Sequence, residues 1–256
     1  MLELESIDFS YADHAVLKDV SFAAHSGEFV AVLGANGAGK STLVKIASGY
    51  IKPDAGKVLL NGKNIESYSS AELARVRAVC EQENVLDFDY SVLDTVCLGR
   101  FAMSGFWGVD SRTREIARGA LNEVGLGGFE NKSYLNLSGG EKRRVQLARV
   151  IAQILDSPAG KLLLLDEPTA NLDPLHSRAT MQICKNLCAR GACCVAVVHS
   201  VNLAMDFADK ILMIKNNSLF RFGDTAEILT EENISSLYQM PAKIVGCSPR
   251  RAVVLG

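Results

Sequence analysis

Residues 29–42 read Phe-Val-Ala-Val-Leu-Gly-Ala-Asn-Gly-Ala-Gly-Lys-Ser-Thr, an apolar run that opens into a glycine-rich loop. Five apolar residues without polar alternation predict a strand buried on both faces, the habit of parallel sheets. Gly34 to Ser41 fit G-x-x-x-x-G-K-[ST], and Thr42 follows. The glycines let the backbone curl so that successive N–H groups, including those around Asn36, Gly37 and Gly39, point at an anion. The helix expected next adds its positive N-terminal end. Lys40 supplies a point charge for the β- and γ-phosphates, and the Ser41 hydroxyl supplies a ligand for Mg²⁺. An accidental glycine turn is the bland alternative. The position between a strand and a helix, which the chemistry demands, weighs against it.

Two further apolar runs end in residues suited to phosphate chemistry. Leu162–Leu165 leads into Asp166 and Glu167, and Val195–Val198 leads into His199. Open α/β sheets bind ligands beyond the carboxyl ends of their strands, so one rim is expected to gather all three endings. There Asp166 is expected in the Mg²⁺ shell, and Glu167 is placed to orient or deprotonate an attacking water.

The rest of the composition bounds the answer. The chain of 256 residues suits one large α/β domain carrying a smaller insert. Its 27 basic and 29 acidic residues leave a net charge of −2, which argues against a nucleic-acid partner held by a basic surface. No stretch reaches the roughly 18–20 apolar residues of a membrane span. The start, MLELESIDFSY, lacks the basic and apolar regions of a signal peptide. Seven cysteines without secretory context predict reduced thiols. A metal site among Cys184, Cys188, Cys193 and Cys194 is weighed against packed core thiols, and the latter reading is preferred.

Along the chain, residues 1–69 read as short strands, with a two-residue hairpin turn at Asn61–Gly62. Residues 70–155 read as a helical insert, with Ser91 and Asp94 spaced as a capping box and a helix over Ser111–Val124. Residues 156–256 return to alternating strand and helix, with Gly191 stopping a helix that starts near Pro174.

Leu137-Ser-Gly-Gly-Glu141 invites two readings that share one geometry. Ser138 and Glu141 form S-x-x-E, a capping box for the helix that follows. A serine hydroxyl and bare Gly139 and Gly140 amides at a helix start also make a second anion site. One nucleotide does not require two such elements from one chain. Two copies sandwiching two nucleotides would use both.

Taken together, these motifs resemble the nucleotide-binding subunit of the ATP-binding cassette (ABC) transporters, in order and over essentially the whole chain. The resemblance implies a P-loop NTPase α/β core with a mostly parallel sheet, an N-terminal antiparallel β subdomain and an inserted helical subdomain. It implies ATP and Mg²⁺ as ligands. Tyr11 matches the aromatic that stacks on adenine, Gln82 the glutamine that senses Mg²⁺ and the attacking water, and Ser138 to Glu141 the signature acting on the partner copy's nucleotide. Asp173 matches the D-loop aspartate and His199 the switch histidine at the γ-phosphate. Glu81 departs from the usual proline before the glutamine, and Ser200 from the acid that often follows the histidine.

The stretches SAELARVRAVCEQ, FDYSVLDTVCLGR and SYLNLSGGEKRRVQLARVIAQI resemble importers of ferric siderophores, cobalamin and haem, with Ser133–Tyr134 and the ending LTEENISSLYQMPAKIV nearest the haem (hemin) group. This implies a second copy of the chain, a transmembrane permease dimer gripped by the helical insert, and indirectly a substrate-binding protein. The implied place is the cytoplasmic face of the inner membrane. Siderophore or cobalamin import, an exporter, and a soluble cassette serving a cluster-assembly scaffold are the alternatives. A GTPase is set aside because Asn131-Lys-Ser-Tyr134 lacks the aspartate that reads guanine.

Overall fold

The computed structural model describes residues 1–81, 89–103, 109–247 and 250–256. Two long antiparallel strands come first, β1 (Leu2–Tyr11) and β2 (His14–Ala24). The run at 29–33 then forms β3 (Phe29–Leu33), which passes through the glycine loop into α1 (Lys40–Ala47). Next, β4 (Ala55–Leu60) pairs antiparallel with β1 and turns into the two-residue β5 (Lys63–Asn64). The turn is the expected Asn61–Gly62, with positive φ at both residues (52° and 76°). These strands make a four-stranded sheet in the order β2-β1-β4-β5.

A short helix α2 (Ser70–Val76) is closed by a full capping box between Ser69 and Glu72. It is followed by β6 (Arg77–Cys80), and here the structure corrects the sequence reading. Residues 70–155 read as helical, yet Arg77–Cys80 pairs parallel with Leu162–Leu165 and closes the edge of the main sheet. Alternate burial of Ala78 and Cys80 is a strand's period of two, compressed into four residues. The helices of the insert are α3 (Val92–Cys97), α4 (Ser111–Glu123) and α5 (Gly139–Ala152), which pack on one another. Ser91 caps α3 by accepting from the Asp94 amide, as its spacing predicts, and Asp110 caps α4. A buried Arg100 guanidinium anchors the insert through Asp156 (3.0 Å) and the Ala152 carbonyl (2.8 Å).

The remainder alternates strand and helix: β7 (Leu162–Asp166), α6 (Pro174–Ala189), β8 (Cys193–Val197), α7 (Val201–Phe207) and β9 (Lys210–Lys215). Gly191 follows α6 at φ 91°, the helix stop expected of it. The chain finishes with β10 (Ser218–Asp224), α8 (Thr225–Ile228), α9 (Glu231–Tyr238) and a hairpin of β11 (Ala242–Cys247) and β12 (Arg250–Leu255). The main sheet runs β10-β9-β3-β8-β7-β6, parallel throughout except for the edge strand β10.

Both faces of this sheet are covered, which explains the unbroken apolar runs. Phe29, Ala31 and Leu33 join one core with the helical insert and α6. Val30 and Val32 point the other way, into a core shared with α1 and the antiparallel sheet. Each fully buried Val, Leu or Phe contributes about 1.5–3 kcal/mol, so β3, β7 and β8 fix the middle of the molecule. The six cysteines from Cys80 to Cys194 are free and buried. Burial pushes the Cys193 thiol up to about 12 and Cys194 well above its usual range, so these behave as core packing. Among the described residues, no group of three or more histidine, cysteine or acidic side chains is placed to hold a metal, and no helix is long and apolar enough to cross a membrane.

Candidate nucleotide site

β3, β8 and β7 lie side by side and parallel, so their carboxyl ends deliver the glycine loop, His199 and Asp166–Glu167 to one rim. The loop is confined by its surroundings. A Cβ on Gly34 would lie 2.6 Å from the Ile214 carbonyl oxygen. One on Gly39, which stands at φ 97° before α1, would lie 2.6 Å from the Val16 carbonyl. The rim encloses a cleft of about 420 Å³ lined by Val16, Asn36, Gly37, Gly39 to Thr42, Glu167 and His199.

Lys40 is buried, and its Nζ donates to the carbonyls of Gly34 (2.9 Å) and Ala35 (2.8 Å). Burial lowers its pKa from the ordinary lysine value, opposed by the nearby charges of Glu167 and Asp166. Ser41 Oγ donates to Asp166 Oδ1 at 3.1 Å. Burial raises the Asp166 carboxyl above the usual range; the Ser41 bond opposes that and the Glu167 charge adds to it. A hydroxyl and a carboxylate converging in this way form the hard oxygen set that Mg²⁺ takes beside phosphates.

Glu167 occupies an uncommon backbone position for a side-chain-bearing residue, φ 51°, and precedes Pro168. Such conformations cost about 1–3 kcal/mol and persist where surrounding contacts over-determine them. The strain turns the carboxylate toward the cleft, where Oε1 lies 2.6 Å from His199 Nε2. A carboxylate and an imidazole in contact beside a phosphate cradle can hold a water and move its proton.

A model of the family described as "ABC transporter" matches residues 17–170. The chain belongs to that family. The cassette is 42% identical over 239 residues to the hemin import ATP-binding protein HmuV of Gloeobacter violaceus, an alignment covering 92% of this chain and 86% of that protein. It superposes with TM-score 0.81 and 27% identity on a chain of a metal-chelate type ABC transporter in an inward-facing conformation, covering 100% of this chain and 96% of that one. A dimeric ATP-binding cassette in a post-hydrolysis state, bound to ADP and Pi, matches with TM-score 0.77 and 27% identity over 88% of this chain and 99% of that chain.

Other residues expected at the site lie elsewhere in the cassette. Ser138 begins α5, and its capping box is complete: its Oγ accepts from the Glu141 amide, and Glu141 accepts from the Ser138 amide at 2.8 Å. The Ser138 contacts hold the Glu141 carboxyl below its usual range. Ser138, Gly139, Gly140 and Glu141 do not line the cleft. The nearest atoms to a Cβ on Gly140 belong to Leu172 and Asn171, just before Asp173. Asp173 itself caps α6, accepting from the His176 amide at 2.9 Å. Tyr11 ends β1 half exposed, edge-on to Phe9 with centroids 4.8 Å apart, and is not among the residues lining the cleft. Val16, on the next strand, is. Gln82 lies outside the described residues.

Two residues at the site are not among those the sequence reading names. Val16 carries no chemical signal. Arg143 belongs to the polar start of α5, yet it reaches the rim and donates to the carbonyls of Asp166 (3.0 Å), Glu167 (2.6 Å) and Glu81 (3.2 Å).

Proposed function

We propose that the cassette hydrolyses ATP to drive hemin import through a membrane permease. The observation that carries the catalytic part is the joining of Lys40, Ser41–Asp166 and Glu167–His199 on one cleft at the ends of three adjacent parallel strands. Lys40 exchanges the Gly34 and Ala35 carbonyls for the β- and γ-phosphates of ATP, and the loop amides donate to the remaining phosphate oxygens. Ser41 and Asp166 would hold Mg²⁺, which neutralises phosphate charge when bound. Glu167 accepts a proton from the attacking water, and His199, in contact with it, fixes the carboxylate's aim and reaches the γ-phosphate. Catalysis on these terms is mainly positioning and charge stabilisation. Gln82 and Tyr11 are assigned the water-sensing and adenine-stacking roles of the family.

The signature Ser138–Glu141 stands outside the chain's own cleft. In this reading it completes the cleft of a second copy, with Ser138 and Gly140 on the γ-phosphate held by that copy's Lys40 and Asp173 at the seam. The dimeric form of the ADP-bound neighbour supports two copies. The hemin cargo is supported by the name of the relatives. A permease dimer gripped by the helical insert, a substrate-binding protein outside, and the cytoplasmic face of the membrane complete the assignment.

The test has two parts. Purified wild-type chain is expected to release phosphate from Mg²⁺-ATP, and Glu167→Gln is not. Membranes holding the chain with its permease are then expected to take up labelled hemin in preference to a labelled siderophore. Equal phosphate release by Glu167→Gln would refute the catalytic assignment, and preference for the siderophore would refute the cargo.

A further inference from the structure

We infer that Arg143 is a positioning residue, which ties the aim of Glu167 to the placement of the helical insert. The inference rests on the proposed ATPase activity and goes beyond it. Glu167 is the residue whose orientation matters most to the reaction, and its backbone lies in a region that rarely holds anything but glycine (φ 51°). Something must hold it there.

Two peptide planes meet at the Glu167 Cα, and their angles about that atom set where the side chain points. The carbonyl of one plane belongs to Asp166 and that of the other to Glu167. A single nitrogen of Arg143, Nη2, donates to both, at 3.0 and 2.6 Å. The Glu167 carbonyl also accepts from the Ala170 amide at 3.1 Å, so the turn after it is braced from a second side. With both planes pinned, the carboxylate is directed at His199. Hydrogen bonds to a charged donor are of the same size as the strain they must hold in place.

The other end of the guanidinium connects two further elements. Nη1 donates to the Glu81 carbonyl at 3.2 Å, one residue before Gln82 and one after the end of β6. Arg143 itself rides on the first turns of α5, five residues after Ser138. A rigid movement of α5 against the sheet therefore moves the donor relative to three carbonyls at once. When α5 is seated, the strained Glu167 conformation is held; when it shifts, the strain is free to relax and the carboxylate loses its aim. Among the described residues Arg143 donates to the carbonyls on both sides of the Glu167 Cα, so it acts through Glu167. A lysine there offers one point charge in place of the planar fork and cannot reproduce the divided contact.

The experiment compares wild type, Arg143→Lys, Arg143→Gln and Arg143→Ala as full chains, measuring kcat and KM for Mg²⁺-ATP, the Kd for ATP by calorimetry, and Tm. A displacement of about 1 Å at a reacting group costs on the order of a hundredfold, so kcat is expected to fall about ten- to a hundredfold in Arg143→Ala. KM and Kd should stay within about twofold, because Lys40 and its loop are untouched, with kcat ordered Arg, then Lys, then Gln and Ala. If the alanine variant does not fold, the Arg, Lys, Gln order carries the same test. Equal kcat across the folded variants, or loss of kcat matched by loss of ATP affinity, overturns the inference. Wild type and Glu167→Gln run alongside: wild type without activity would mean that the ATPase reading has failed, whatever Arg143 does.

Discussion

The rim of the parallel sheet and the N-terminus of α5 both offer anion-binding chemistry, and they are finished to different degrees. At the rim, one chain brings the glycine loop, Lys40, Ser41, Glu167 and His199 around a single cleft, with Asp166 bonded to Ser41. At α5, the serine and two glycines open the helix within a complete capping box and do not line that cleft. The rim is rigid because it grows from buried strands with core on both faces. The α5 corner is stable as a helix start whether or not a phosphate is present, since Glu141 and Ser138 satisfy each other. In the proposed dimer this corner is the half-site that a second copy's nucleotide would meet.

That contrast can be broken at several points. Glu167→Gln is expected to reduce phosphate release on the order of 10²–10⁴-fold while ATP still binds, because it removes a base and leaves the cradle intact. Lys40→Ala acts on the other function of the rim. Loss of charge-assisted bonds worth about 1.5–3 kcal/mol should raise the Kd for ATP about ten- to a hundredfold by calorimetry. If affinity holds, Lys40 is not the phosphate cation.

Asp166→Asn sharpens the comparison in the opposite direction. The folded-state pKa of Asp166 is raised, so the folded protein holds this proton more tightly than the unfolded chain does. Stability is therefore lost as pH rises from the ordinary carboxylate pKa through the raised folded value, and the loss is complete above it. At neutral pH without nucleotide the asparagine variant should melt higher, by about 2–4 °C for each kcal/mol recovered, while hydrolysis disappears. A lower Tm at neutral pH would mean that Asp166 is a net stabiliser and that its burial is not a cost of function. Ser138→Ala is the mildest change. Loss of the cap should lower unfolding free energy by about 1 kcal/mol in the nucleotide-free chain. ATP hydrolysis should fall by more than that stability loss explains.

Much of this was legible in the residues. Three apolar runs ending in a glycine loop, an acid pair and a histidine already implied a shared rim, because only parallel strands buried on both faces are so uniformly apolar. The capping box at Ser138 was readable because helix starts depend on local spacing. The strand Arg77–Cys80 was not readable: four residues after a helix are too few for a period to declare itself, and only the neighbouring β7 makes them a strand. The edge-on contact of Tyr11 with Phe9 is set by strand pairing and was not readable from its residue type. Arg143 was invisible because three backbone carbonyls that it reaches lie 23, 24 and 62 residues away, and side-chain identity carries no record of them.

The central claim is that each nucleotide is completed by two chains. Light scattering on Glu167→Gln with saturating Mg²⁺-ATP tests it most directly. A particle of twice the 27.6 kDa chain mass is expected, reverting to one chain when nucleotide is removed or in Ser138→Arg. A variant that binds one ATP per chain yet remains at the single-chain mass would contradict it.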